Sequence, residues 1–234
     1  QGETIAVFGD YDVDGITSAC MMTLYLRSKG LKCEPYIPDR LEEGYGLNMA
    51  AIDTLAAHGA QLIVTVDCGI TAREEARHAK ELGIDMIITD HHECGSGSLP
   101  EAVAVVDPKR PDSAYPNPGL AGVGVAFKLL CAVEGAAGKV LDEYADLIAA
   151  GTVADVMPLT GENRYIVRRG LKMLENPARA GIRALLNECG ASGRRLNAAT
   201  IGFTLAPRLN AAGRLGRTDS AEGLLLTSDE EDAS

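Results

Sequence analysis

Four apolar runs in the first half of this sequence each end on an aspartate, and no other feature constrains the fold so tightly. Ile5 to Phe8 leads to Asp10, Gln61 to Val66 to Asp67, Ile84 to Thr89 to Asp90, and Ala102 to Val106 to Asp107. Runs of this length read as buried parallel strands, and the stretches between them (Ile16 to Ser28, Met49 to Ala57, Thr71 to Leu82) have helical apolar spacing. Thr71 is the expected N-cap of its helix. Lys32 to Pro38 reads as a further short strand, placed near a sheet edge by its prolines. Strands alternating with helices predict an α/β fold with a doubly wound, mainly five-stranded parallel sheet. Right-handed crossovers then carry the carboxyl ends of all the strands to one edge. One aspartate after a strand is an ordinary cap or turn residue, but four in succession form a pattern.

The first run opens into Asp10-Tyr11-Asp12-Val13-Asp14-Gly15. Three carboxylates at alternate positions repel one another unless a multivalent cation neutralises them. The same spacing begins an EF-hand calcium loop, but that loop needs a glutamate at its twelfth position, which here is Met21, and a helix where this chain has a strand. An acidic turn exposed to water is the competing reading. Two further clusters add donors: Asp90-His91-His92-Glu93, and Asp155 at the end of Gly151-Thr152-Val153-Ala154. A carboxylate among small apolar residues needs a partner, either a metal or a helix terminus. Asp10, Asp12, Asp14, Asp67, His91, His92 and Asp155 make a carboxylate-plus-imidazole set suited to Mn2+ or Mg2+. That many donors leave room for two ions about 4 Å apart. Structural zinc would favour thiols, and Cys68 and Cys94 lie beside the motifs, so zinc is the minor alternative.

Gly119-Leu120-Ala121-Gly122-Val123-Gly124 precedes a helix expected over Ala126 to Val133. Its small residues serve either close helix packing or contact between backbone amides and a phosphate. No Walker A sequence and no GxGxxG at a strand–helix turn is present, so neither ATP nor NAD is indicated. From about 139 the pattern turns helical (Val140 to Ala150, Tyr165 to Leu174, Ala180 to Cys189, Asn197 to Phe203), which divides the expected domain into an α/β core over 1–137 and a helical part over 138–234. Arg208-Leu209-Asn210-Ala211-Ala212-Gly213-Arg214 reads as a turn between two arginines. The net charge of −11 argues at first against a nucleic-acid partner. Its distribution argues the other way: residues 164–217 carry 11 Lys and Arg against only Glu175 and Glu188, while residues 1–117 carry 9 against 19 acids. Six cysteines without CxxC pairs suit reduced thiols in the cytosol. No run approaches a membrane span and no signal peptide opens the chain; Gln1 and the immediate strand are expected of a piece of a longer protein.

These motifs resemble those of the DHH phosphoesterase family: Asp-Tyr-Asp-Val-Asp-Gly at 10–15, Asp-Cys-Gly at 67–69 and Asp-His-His-Glu at 90–93. Tyr36-Ile-Pro-Asp-Arg, Glu43-Gly-Tyr-Gly-Leu, Leu120-Ala-Gly-Val-Gly-Val-Ala-Phe-Lys, Gly151-Thr-Val-Ala-Asp-Val and Arg208-Leu-Asn-Ala-Ala-Gly-Arg are similar to segments of its RecJ branch, in the same order. The resemblance implies a bacterial, cytoplasmic 5′→3′ exonuclease of DNA repair and recombination. Such an enzyme hydrolyses single-stranded DNA to 5′-mononucleotides with Mn2+ or Mg2+. Carried over by motif, Asp12, Asp14, Asp67, His91 and Asp155 would be metal ligands. Asp10 and His92 would be ligands or adjacent catalytic groups, and Asp90 would orient a histidine. Arg208, Asn210 and Arg214 would contact substrate phosphates. The family's second domain and the OB-fold usual in this branch have no counterpart here, so the chain would hold the metal-binding half of a cleft with a reduced grip on DNA. Related enzymes for short oligoribonucleotides or cyclic dinucleotides are the alternative, although those show Pro-Asp-Gly-Asp-like first motifs. A degenerate, non-catalytic scaffold would have lost ligands, and none is missing here.

Overall fold

The computed structural model describes residues 2–39, 43–44, 46–214 and 218–233, apart from the side chains of 213, 214 and 218. Five strands, β1 (Ile5–Gly9), β2 (Cys33–Tyr36), β3 (Leu62–Val66), β4 (Asp85–Thr89) and β5 (Ala104–Val106), form one sheet in the order β2-β1-β3-β4-β5. Every pairing is parallel; Val7 lies opposite Pro35 on one side and Val64 on the other. The expected architecture is observed. Pro35, which has no N–H to donate, sits on an edge strand as its chemistry requires.

Alternation along each strand feeds two cores. Ile5, Val7, Val64 and Val66 face one cluster; Ala6, Phe8, Ile63, Met86 and Ile88 face the other. The second is covered by α2 (Met49–Ala57) and α3 (Arg73–Glu81). The first lies beneath α1 (Val13–Ser28), α4 (Gly122–Glu134) and α5 (Ala137–Ala154), and it extends into α6 (Gly161–Leu174) and α7 (Ala180–Glu188). α1 and α5 are buried over most of their length, so their sequences carry little amphipathic contrast. Among the described residues no helix is long and apolar enough to cross a membrane.

The order 2-1-3-4-5 reverses direction between β1 and β3, and that reversal opens a crevice at their carboxyl ends. Asp10 and Asp67 follow those two strands and flank the crevice directly.

Three local expectations change. α3 is preceded by Ala72, which makes no side-chain cap; Thr71 contributes only its carbonyl, to the amide of Arg73 at 2.9 Å. α4 begins at Gly122, four residues before the expected start. Residues 206–214 are helix, not turn. A short α8 (Ala198–Thr200) passes through one π-helical turn, Ile201–Leu205, into α9 (Ala206–Arg214), and α10 (Thr218–Leu226) follows. The wider turn, in which the amide of Ala206 reaches the carbonyl of Ile201, admits Pro207 without breaking the helix. Arg40 and Tyr45, which belong to two of the motif segments, lie outside the described residues.

α5 and α6 pack closely at Gly170, where a Cβ would lie 2.1 Å from the Ala145 carbonyl oxygen and 2.3 Å from the Ala149 methyl. Helix propensity alone favours alanine there by about 1 kcal/mol. Overpacking reverses the sign, so Gly170→Ala is expected to destabilise the chain by about 1–3 kcal/mol in denaturant titration. A neutral or stabilising result would show that the two helices can separate freely.

Candidate metal centre

β1 delivers Asp10 to the crevice, and Asp12 then N-caps α1 by accepting from the Gly15 amide at 3.0 Å. That cap fixes the turn and places Asp14 in the first turn of the helix. Asp14 is fully buried, and its two oxygens accept from the amides of Gly122 (2.6 Å) and Val123 (2.9 Å) at the start of α4. The glycine-rich segment therefore serves packing and amide donation together, but the anion it holds is Asp14. A Cβ on Gly122 would stand 2.4 Å from Asp67 Oδ1, and one on Gly151 would stand 2.7 Å from Asp14 Oδ1. Both glycines are places where a helix comes within contact of a carboxylate.

Asp67 leaves β3 with φ of 62°, a left-handed conformation that aspartate tolerates better than most residues and that recurs where function imposes strain. Its Oδ1 lies 3.2 Å from His91 Nε2. Asp155 ends α5, and its Oδ2 lies 3.6 Å from the same nitrogen, with Asp14 Oδ2 at 3.9 Å. A carboxylate at a helix C-terminus opposes the helix dipole, so capping does not account for Asp155. Asp90 accepts from the Ile70 and His91 amides (2.8 and 2.7 Å) and from His92 Nδ1 at 2.7 Å. Of the two histidines, His92 is the one whose ring this carboxylate holds.

The donors meet in three overlapping groups, each with its ligand atoms within 4.8 Å: Asp10, Asp12 and Asp67; Asp14, His91 and Asp155; Asp67, His91 and His92. Every residue expected to ligate a metal is in one of them. Burial pushes Asp10 up to about 7, with the nearby Asp12 charge adding to it. Burial likewise raises Asp14 to about 8 and Asp155 to about 6, and it raises Asp67 well above the carboxylate range. Burial lowers His91 to about 4, which leaves a neutral imidazole able to ligate. The hydrogen bond to Asp90 raises His92. Burial alone would raise Asp90, but its bonds from His92 and the backbone outweigh that and hold it low. Asp10 Oδ1, Asp67 Oδ1 and Asp155 Oδ2 are buried with no hydrogen-bond partner among the described residues. Oxygens so placed, beside a neutral imidazole, fit a divalent cation by the chemistry of the donor set.

The arginine motif converges less than expected. Asn210 does reach the centre: its Oδ1 accepts from the Val13 amide at 3.1 Å, between Asp12 and Asp14. Arg208 donates to the Thr204 carbonyl in the π-helical turn just before α9, and its charge slightly offsets the rise that burial gives the Cys189 thiol. Residues two apart on a helix point to nearly opposite sides, so Arg208 and Asn210 diverge once the segment is helical. The Arg214 side chain lies outside the described residues. Sequence reasoning missed Lys109, whose charge acts on both His91 and Asp155 and whose Nζ lies 3.4 Å from Glu93. It named Asp107 only as a strand-end aspartate and gave it no role; Asp107 is buried behind β5 and raised by burial to about 6.

Residues 4–152 match the model of the DHH family, N-terminal domain. The single-stranded-DNA-specific exonuclease RecJ of Bacillus subtilis is 48% identical over the whole chain, which covers 29% of that protein. That of Escherichia coli is 43% identical over 97% of the chain, which covers 41% of it. A crystal structure of exonuclease RecJ bound to manganese superimposes with a TM-score of 0.88 at 40% identity, covering all of this chain and 59% of that one. The chain thus spans less than half the length of these curated relatives.

The raised acids fix the sign of a pH dependence. The folded chain holds protons that the unfolded chain has already released, so their stabilisation is complete below about pH 4 and is lost as pH rises through about 8. In chelator, the melting temperature is expected to fall from about pH 6 to 9, and Asp67→Asn to recover about 1–2 kcal/mol at the alkaline end. A flat profile for both proteins would show that the carboxylates do not repel one another.

Proposed function

The chain belongs to the DHH family, and from that premise we propose that it is the metal-binding half of a 5′→3′ exonuclease that hydrolyses single-stranded DNA to mononucleotides. One observation carries the reading: five carboxylates and two imidazoles converge in a sheet crevice, with buried oxygens left unpartnered. Both curated relatives are named for single-stranded DNA and the neighbouring structure for bound manganese. Those names leave the cyclic-dinucleotide and oligoribonucleotide alternatives without support. The free thiols of all six cysteines are what a reducing cytoplasm would leave.

Asp10, Asp12 and Asp67 would hold one Mn2+ or Mg2+ ion and Asp14, His91 and Asp155 a second, with Asp67 close to both sets. Such a pair, when bound, supplies a water that is acidic near neutral pH and charge to offset the developing phosphate negative charge. The chain's own groups do the positioning. The α4 amides keep Asp14 aimed at the crevice, and Asn210 ties α9 to the acidic loop through the Val13 amide. His92, with its side chain 46% exposed and its Nδ1 proton engaged by Asp90, would donate from its other nitrogen toward a phosphate or a leaving oxygen in its protonated form, which the bond to Asp90 favours. Asn210 would face the substrate side; for Arg214, whose side chain lies outside the described residues, the phosphate contact rests on its motif alone. Arg208, on the other side of α9, would meet substrate phosphate away from Asn210.

Two Mn2+ ions per chain are expected by titration calorimetry, with Asp67→Ala weakening both. Mn2+-dependent cleavage of a 5′-labelled single strand should fall at least about a hundredfold in the same variant. Metal binding or cleavage by Asp67→Ala at the unmodified level would sink the assignment.

A further inference from the structure

We propose that the outer face of α6 is the track along which the uncleaved strand leaves the metal centre. The proposal rests on the exonuclease reading and adds a surface that none of the motifs contains.

In a chain of net charge −11, most described cations are tied to acids. Arg27 pairs with Glu34, Lys128 with Glu162, Arg179 with Asp146 and Arg183 with Glu230. Arg164, Arg168, Lys172, Arg194 and Arg195 are exposed and have no ion-pair partner among the described residues. Three of the five sit at i, i+4 and i+8 on α6, a single line rising about 6 Å per step. Like charges at that spacing repel, so nothing in the helix itself favours the arrangement. Tyr165 stands beside them at 65% exposure. Ile166, Val167, Gly170 and Leu174 turn the opposite face of α6 into the core, so this line is the free side of the helix.

The line has a defined start and continuation. α6 begins six residues beyond Asp155, and Asn163 anchors that end by donating to the carbonyls of Gly119 (2.6 Å) and Pro158 (3.1 Å), just before the α4 amides that hold Asp14. At the other end, the Leu196 amide donates to Glu175 Oε1 at 3.3 Å, which sets the Arg194–Arg195 segment against the helix terminus. Guanidinium forks spaced along a path suit phosphates, and an exposed aromatic ring among them suits an unpaired base. That combination points to single-stranded nucleic acid in preference to an acidic protein.

The test is strand binding in chelator, so that no cleavage occurs, comparing oligonucleotides of about four and about twenty nucleotides. With Arg164→Glu, Arg168→Glu and Lys172→Glu combined, affinity for the long strand is expected to fall at least tenfold and its log–log salt slope by about 2. Affinity for the short strand should change less than about twofold, because it does not reach along the helix. Tyr165→Ala should weaken binding to the single strand about tenfold and leave duplex binding unaltered. Arg77→Glu on α3 serves as the control and should change neither. All substituted positions are exposed, and an unchanged Mn2+ titration shows that each variant is folded. An unaltered slope and length dependence would overturn the track. So would a loss confined to a polyglutamate probe, which would assign the face to an acidic protein. Failure of the unmodified chain to bind Mn2+ would refute the nuclease reading separately, because strand binding is read without metal.

Discussion

The structure depends on a repulsion it does not relieve by itself. Asp10, Asp14 and Asp67 are nearly inaccessible to solvent, and Asp12 and Asp155 stand within reach of them. Two such charges about 4 Å apart interact by roughly 4 kcal/mol at the effective dielectric of a protein surface, and desolvation adds to that. Asp14 shows how far the fold goes in compensation. Two backbone amides at the positive end of α4 donate to it, yet burial still raises its pKa to about 8. Hydrogen bonds hold that carboxylate in place without making its charge stable. Compensation on the scale required is what the proposed cations would supply, and the crevice at the β1/β3 reversal is where this topology can gather ligands from different strands.

The same demand explains the backbone around the centre. Asp67 and Val156 are the described residues other than glycine with positive φ. Each directs or follows a proposed ligand, Asp67 itself and Asp155. For Val156 the conformation is costly, because a β-branched side chain crowds its own backbone there, and glycine is the usual occupant of that position after a helix. The glycines are spent elsewhere. Gly122 and Gly151 let α4 and α5 come within contact of Asp67 and Asp14, so small residues that could have made room for a phosphate are closed instead on the chain's own carboxylates.

That inversion also marks where the sequence could be read and where it could not. Strand runs ending in aspartate are local signals with a short period, and they placed the sheet and, with the Asp10–Gly15 and Asp90–Glu93 motifs, most of the acidic cluster, while prolines marked the edge strand. The start of α4 was misplaced because its N-terminal acceptor is not local: Asp14 supplies it from 108 residues away. No window along the chain contains that partner. Residues 208–214 read as a turn in the sequence because asparagine and glycine are turn formers and Pro207 stands just before them. A π-turn upstream absorbs Pro207, and α9 continues through the rest. The difference in secondary structure changes the geometry available to the expected phosphate contacts, since a turn would aim Arg208 and Asn210 together and a helix aims them apart. Lys109 carried no signal at all: a lone lysine after Asp-Pro becomes relevant only once β5 sets it beside the histidines.

The separation of charge along the chain follows from these requirements. An arginine inside the cluster would neutralise the carboxylates and compete with any cation for the same oxygens. Lys109, the cation that acts on the centre, is itself held by Glu93. Apart from Lys32, Arg73 and Arg208, the described bases without an ion pair stand on α6 and the segment near 194, where a polyanion can meet them without their reaching the metal ligands. Exposed charges lose influence beyond about 8–10 Å at physiological salt, so a strand near α6 would respond to the local basic line far more than to the acidic total. A net charge of −11 is therefore compatible with a nucleic-acid substrate, provided the acids are turned inward on proposed metals and the bases are left without partners outside.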